Sequence, residues 1–247
     1  MTDDVSRETR GAPAPAPPAP ESARGVFSPV RLPLIQAYAD LLATDGVVRG
    51  LIGPRETPRL WERHIINSAV LQEALPANAT VCDIGSGAGL PGLVVAIARP
   101  DLVVTLVEPL LRRTTFLQEV VDELALDNVE VVRGRADELH GARDFDVVTS
   151  RAVAPLDRLL VWSMPLVAPH GALVAMKGSS IGDEVETASA VLAKYRCADP
   201  EVFTVGAGLV DPPTTVVRVA WADPSRICWP LASTRPAKKS RGRGRRP

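Results

Sequence analysis

The sequence predicts an α/β fold built on a doubly wound, mostly parallel sheet of seven strands. Three observations point to it. From residue 79 onward, short apolar runs alternate with stretches of helical period. The helical stretches between the runs are long enough to cross over from one parallel strand to the next. A glycine-rich turn, Gly85-Ser86-Gly87-Ala88-Gly89, leaves the first run and leads into a helix. Together these describe a sheet with helices on both faces and ligand chemistry at the carboxyl ends of its strands. A chain of 247 residues that is 46% hydrophobic is long enough to bury one full core, so a single domain with tails is expected.

The elements follow in chain order. Residues 1–27 include Gly11 to Pro20, a run of only Gly, Ala and Pro. Such a run buries too little apolar surface to offset its ordering entropy, so a disordered extension is expected. Residues 28–76 form a helical extension. From Pro29 to about Gly46, the residues Val30, Leu34, Ala37, Tyr38, Leu41 and Leu42 recur at steps of three and four. A second helix is expected from Pro58 to Ala74, with Thr57 as its N-cap. Residues 77–232 carry the sheet, with strands at 79–84, 102–108, 128–133, 145–150, 171–177, 200–205 and 215–221. Helices are expected at 90–99, 110–125, 155–165 and 181–195. Residues 233–247 read as a flexible basic tail.

Charge is distributed unevenly. The net charge of -1 hides seven Lys or Arg in residues 235–247, against a balance of -8 over the rest. A Gly-spaced basic arm attracts phosphates without reading sequence, and it serves equally as a solubilising terminus. No apolar run is long enough to cross a bilayer, and the N-terminus lacks the charged start and apolar stretch of an export signal. A cytoplasmic, monomeric protein is expected. Cys82, Cys197 and Cys228 form no CxxC or Cys/His pattern with His64, His140 or His170, so reduced thiols and no structural metal are expected.

The decisive segment is Val81 to Gly92. Glycines allow positive φ and bring backbone N–H groups against a ligand, and the following helix start favours negative charge. In a methyltransferase the turn at Gly85, Gly87, Gly89 and Leu90 holds the methionine end of the cofactor, and Asp83 orients its ammonium or a water. Gly87 to Gly92 also matches G-x-G-x-x-G, so a nicotinamide-dependent oxidoreductase competes, as does a purely structural turn. Glu108, ending the second strand, suits two ribose hydroxyls in either nucleotide reading. Asp137, beside Ala136, suits an adenine amine or a loop cap. Arg135, Arg151 and Lys177 lie at strand ends, where each suits a phosphate or the surface. His64 falls on or beside the apolar face of its helix, the usual place of a packed, hydrogen-bonded histidine, with Arg63 and Asn67 flanking it.

Taken together, Arg63 to Ser68, Asp83 to Gly92, Phe145 to Val153 and Lys177-Gly178 resemble the RsmG family, also called GidB, the small-subunit ribosomal RNA guanine-N7 methyltransferases. The resemblance spans about residues 30–240. It implies a class I S-adenosylmethionine-dependent methyltransferase fold, Rossmann-like, acting on a guanine in the decoding-region loop of 16S ribosomal RNA or the small subunit. It implies S-adenosyl-L-methionine contacts at Gly85, Leu90, Ala136, Asp137 and Arg151, with Glu108 at the ribose. Asp137 stands where the family usually has Glu, and Asn67 where it usually has Asp. Guanine N7 carries no proton, so no residue is expected to act as proton acceptor, and Arg135, Arg151, Lys177 and His64 are positioning candidates. A non-catalytic RNA-binding protein with the same fold is the remaining alternative.

Overall fold

The computed structural model describes residues 14–227. Seven strands, β1 (Thr80–Ile84), β2 (Val103–Glu108), β3 (Val129–Arg133), β4 (Phe145–Arg151), β5 (Val167–Lys177), β6 (Glu201–Val205) and β7 (Thr214–Ala220), form one sheet in the order β3-β2-β1-β4-β5-β7-β6. The pairs from β3 across to β5 are parallel, and β7 runs antiparallel between β5 and β6. The chain moves outward from β1 to β3 and then returns to β4 on the other side of β1. This makes a topological switch point, where open α/β sheets bind ligands beyond the strand ends.

Side chains alternate across the sheet because successive residues of a strand point to opposite faces. Val81, Val104, Val147 and Val174 pack on one face against the helices Leu32–Leu41, Gly92–Ala98 and Leu111–Glu123. Cys82, Val148, Leu173 and Val217 pack on the other face against Leu156–Ser163 and the pair Ile181–Thr187 and Ser189–Tyr195. Both faces are covered, which explains why these strands read as continuous apolar runs.

Strand boundaries match the sequence expectation closely, except that β5 begins at Val167, four residues early. The helix expected at 181–195 is two helices meeting at Ala188. The helix expected from Pro58 begins at Pro54, with Gly53 rather than Thr57 at the N-cap. Pro54 suits a first turn as well as Pro58 does, since a proline there gives up no helical hydrogen bond. That run continues as a π-turn over Leu60–Ile66, an α-turn over Asn67–Ala69 and a 3-10 turn over Val70–Ala74. The π-turn loosens the carbonyl ladder where Arg151 takes the carbonyl oxygens of Arg63 and His64.

The expected disorder of 1–27 gives way to packing over its described part. Ala16, Ala23 and Phe27 are buried. The Ala16 N–H donates to Asp40 Oδ1 at 3.0 Å and the Ala19 N–H to Gln36 Oε1 at 2.7 Å. Trp61 Nε1 donates to the Pro17 carbonyl at 2.7 Å. The strap holds because its few backbone donors find side-chain acceptors, while its prolines have no N–H to satisfy. Residues 1–13, the basic tail and Cys228 lie outside the described residues. Cys82 and Cys197 are free thiols. Among the described residues no helix is long and apolar enough to cross a membrane, and no group of three or more His, Cys, Asp or Glu is placed to hold a metal.

Candidate functional site

Beyond β1 the chain turns sharply, with φ of 69°, 60° and 99° at Gly85, Gly87 and Gly89. The turn is closed by bonds within itself and to the end of β2. The amides of Gly85 and Ser86 donate to the Val107 carbonyl, and those of Gly89 and Leu90 to the Ser86 carbonyl. The expectation that these amides reach a ligand therefore narrows, because five of them, Gly87 included, have protein partners. The Gly87 N–H donates to Glu108 Oε2 at 3.0 Å, and Glu108 Oε1 accepts from the Leu110 N–H at 3.0 Å. Glu108 is buried, with Arg113 Nη1 3.3 Å away, so the acid ending β2 sits against the turn with both oxygens partnered by the protein.

Asp83 is wholly buried beneath the turn. Its Oδ2 accepts from the Gly92 N–H at 3.0 Å, whereas Oδ1 has no protein partner. Burial pushes its carboxyl up to about 7, against the Gly92 hydrogen bond that favours the charge. A Cβ at Gly92 would meet Asp83 Oδ2 at 2.6 Å and Leu106 at 2.3 Å, so only glycine fits. A buried carboxylate with one unpartnered oxygen fits an ammonium or a water. Ala136 and Asp137 form a short turn after β3, where Asp137 Oδ1 meets exposed Arg135 Nε at 3.3 Å. Asp83, Gly87, Glu108, Ala136 and Asp137 thus lie in chain order around the ends of β1, β2 and β3. This donor set suits an amino-acid-bearing nucleoside: one acid for an ammonium, one for a ribose, one for an adenine amine.

On the other side of the switch point lies a cavity of about 1180 Å³ beyond β4 and β5. Its walls include Arg59 and Arg63, the segment Arg151 to Pro155, and the loop from Leu209 to Thr215. Val153 is shared with the turn, since its Cγ2 lies 3.0 Å from where Gly85 would carry a Cβ. Arg151 ends β4, largely removed from water, and burial lowers its pKa. Its Nη1 donates to Ser68 Oγ at 3.1 Å and to the His64 carbonyl at 3.4 Å. Its Nη2 donates to the Arg63 carbonyl at 3.0 Å and to His64 Nδ1 at 3.2 Å. The guanidinium therefore ties the helical extension to the sheet while lining the cavity.

Lys177, expected as a phosphate or capping cation, is only 8% exposed, and Nζ donates to Glu184 Oε2 at 2.7 Å and to the Ala154 carbonyl at 2.8 Å. It braces the cavity wall. Asn67 Oδ1 accepts from Thr214 Oγ1, joining the extension to β7. His64 is hydrogen-bonded as its spacing suggests, though its partners are Glu56 and Arg151 rather than core groups. Tyr38, Glu56, Ser68 and Glu184 escaped the sequence reading. Tyr38 was legible as an apolar contact, yet its buried hydroxyl donates to the Ala88 carbonyl of the turn at 2.8 Å. A lone tyrosine on an otherwise apolar helix face is the signal that marks it, because a buried hydroxyl needs a partner.

The family model described as rRNA small subunit methyltransferase G matches residues 31–208. A curated relative from Nocardioides sp., named Ribosomal RNA small subunit methyltransferase G, is 64% identical over 95% of this chain and 91% of its own length. One of the same name from Streptomyces avermitilis is 52% identical over 94% and 98%. Among solved structures, a putative transferase from Pyrococcus horikoshii aligns with a TM-score of 0.51 at 13% identity, covering 64% of each chain. That likeness concerns the fold, which is the Rossmann-like fold of the class I S-adenosylmethionine-dependent methyltransferases. With the glycine turn, the acid ending β2 and the adjoining cavity in place, the match over most of its length makes this chain a member of the rRNA small subunit methyltransferase G family.

Proposed function

We propose that the protein transfers the methyl group of S-adenosyl-L-methionine to N7 of a guanine in the decoding-region loop of 16S ribosomal RNA. One observation carries the reading: the cavity beyond β4 and β5 and the glycine turn beyond β1 share Val153 as a wall. A donor held at the turn and a base held in the cavity are then neighbours. Asp83 Oδ1 receives the ammonium, Glu108 the ribose, and the turn at Ala136 and Asp137 the adenine edge. The bound cofactor supplies an electrophilic methyl group.

Guanine N7 offers a lone pair and no proton. The new N–C bond forms as the C–S bond breaks toward sulfur, so positive charge passes to the base and no proton needs an acceptor. The chain's own task is alignment and placement of charge, which supplies a large share of catalysis where the reacting atoms are pre-positioned. The arrangement suits that task. Lys177 is neutralised by Glu184, and Arg151 is fixed by four hydrogen bonds. Arg59 and Arg63 at the rim suit phosphates of the strand delivering the base.

The test is labelled methyl transfer to small subunits that lack the modification, with the modified nucleotide mapped afterwards. Label at N7 of a decoding-loop guanine is expected; label elsewhere, or none, overturns the proposal. Thermal shifts with S-adenosylhomocysteine and with NADH address the oxidoreductase alternative directly, because a ligand bound only by the native state raises its melting temperature. Stabilisation by the first alone is expected.

A further inference from the structure

We infer that Glu56 is a positioning residue for methyl transfer, acting through His64 to set the Arg151 guanidinium at the wall of the cavity. Glu56 stands on the 3-10 turn Pro54–Arg59, His64 on the following π-turn, and Arg151 at the end of β4. The contacts form one line. Glu56 Oε2 lies 2.7 Å from His64 Nε2, and His64 Nδ1 lies 3.2 Å from Arg151 Nη2. The inference rests on the cavity being the acceptor site.

The chemistry of the two ends fixes the middle. A guanidinium only donates, so Nδ1 must accept; a carboxylate only accepts, so Nε2 must carry the hydrogen. Of the three imidazole forms, only the neutral Nε2–H tautomer satisfies both neighbours. An outer carboxylate commonly locks tautomer and ring orientation in this way when histidine serves a metal, and here the inner partner is a guanidinium. Glu56 Oε1 also accepts from Arg63 Nη1 at 3.1 Å, so one carboxylate steadies both the imidazole and a rim cation of the cavity.

Protonation reverses the inner contact. An imidazolium turns Nδ1 into a donor facing Arg151. The charged groups facing the ring are Glu56 and Arg63 from its own helical run and Arg151 from β4; Tyr38, from the helix Leu32–Leu41, acts on Arg151 in turn. Burial holds His64 below its usual value, with the Arg151 and Arg63 charges adding to the depression and Glu56 opposing it. The neutral ring, and with it the placement of Arg151, therefore persists at neutral pH and is lost only on the acid side of the ordinary imidazole range.

The experiment measures steady-state methyl transfer to unmodified small subunits over a pH series, using the full-length protein and its Glu56→Gln, Glu56→Asp and His64→Gln variants. The wild type is expected to lose kcat on the acid side through an ionisation below the ordinary imidazole range. Glu56→Gln is expected to lower kcat on the order of tenfold and to move that limb to lower pH, because the imidazolium loses its carboxylate. Glu56→Asp restores most of kcat, His64→Gln removes the limb, and KM for the cofactor stays within about twofold in all three, since the turn at Gly85 is not disturbed. An acid limb that Glu56→Gln leaves in place, with rates scaled down evenly, shows a merely structural role and overturns the relay. Imidazole nitrogen shifts in the wild-type protein give a second reading free of any folding defect, and an Nδ1–H tautomer overturns it likewise. Wild-type protein that binds S-adenosylhomocysteine yet methylates no subunit instead defeats the functional reading, and this inference with it.

Discussion

The two sides of the crevice are built by opposite means. On the β1-β2-β3 side the candidate cofactor groups belong to the strands' own ends and the turns that follow them: Asp83, the glycine turn, Glu108 and the Ala136-Asp137 turn. Their geometry is set by a sheet register and by three backbone-to-carboxylate bonds, Gly87 and Leu110 to Glu108 and Gly92 to Asp83. On the β4-β5-β7 side the wall is assembled from side chains far apart in sequence. Arg151 reaches back 83 to 88 residues to Ser68, His64 and Arg63, and Asn67 meets Thr214 across 147. On the proposed reading, a site for a fixed small cofactor is held largely by backbone, and a site for a large RNA surface by side chains that cross between the helical extension and the sheet.

Substitutions on the two sides should therefore fail differently, and the largest effect is expected at Gly92. An Ala methyl there meets Asp83 and Leu106 inside van der Waals distance. Overpacking of a closed site costs about 3 kcal/mol, and moving Asp83 weakens cofactor binding on the order of 100-fold, the equivalent of about 2.8 kcal/mol. Urea unfolding and calorimetric titration with S-adenosylhomocysteine check both, and affinity within threefold of wild type would show that Asp83 does not serve the cofactor. Arg151→Met comes next, because it leaves buried Ser68 and two carbonyl oxygens without their donor. About 2 kcal/mol of stability should go. Methyl transfer should fall much further than affinity for S-adenosylhomocysteine, and equal losses in the two would merge the sides that the structure separates.

The same contrast decides what the sequence could disclose. The strands are readable because both sheet faces are covered, which leaves Gly171–Met176 as an unbroken apolar run and Val103–Val107 interrupted only by Thr105. Glycine spacing gave away the turn, and the acid ending the next run gave away Glu108, since local chemistry repeats in local sequence. Arg151 was readable as a cation at a strand end, while its partners were not, because nothing in a linear pattern pairs residue 151 with residues 63, 64 and 68. Lys177 was likewise placed but not understood until Glu184 was seen beside it. Composition does not disclose the order of Ala14 to Gly25: Ala and Pro carry little apolar area, yet proline also lowers the entropy lost on ordering, Asp40 and Gln36 accept from its amides, and Trp61 donates to its Pro17 carbonyl.

A pH series separates the sides with a smaller effect. The Asp83 carboxyl titrates at about 7 in the fold, above its unfolded value of about 3.9. Its contribution to stability is thus full below about 3.9 and is lost as pH rises through about 7. Cofactor binding runs the other way, because an ammonium needs the carboxylate. Affinity for S-adenosylhomocysteine should rise by at most about tenfold per pH unit up to about pH 7 and then level off. Asp83→Asn should bind weakly and without that slope, whereas Arg151→Met should keep it. A wild-type affinity that is flat over this range contradicts the assignment of Asp83 to the ammonium.

The smallest effect is expected at Trp61, whose indole holds the N-terminal strap through one bond to the Pro17 carbonyl. Phe fills most of the same volume and removes only the donor. One neutral hydrogen bond contributes about 1 kcal/mol, so the melting temperature should drop by a few degrees in a protein of this size, on the order of 2–4 °C. The strap borders the cavity directly, since Ser22 lines it and Gly25 packs under Leu209 of its loop, and it reaches the glycine turn only through the helix Leu32–Leu41. Loosening it should raise KM for the small subunit while leaving cofactor affinity unchanged. If cofactor affinity fell in step with KM, the strap would be supporting the whole domain rather than one wall of it, and the division of labour between the two sides would have to be redrawn around the Tyr38 bridge to Ala88.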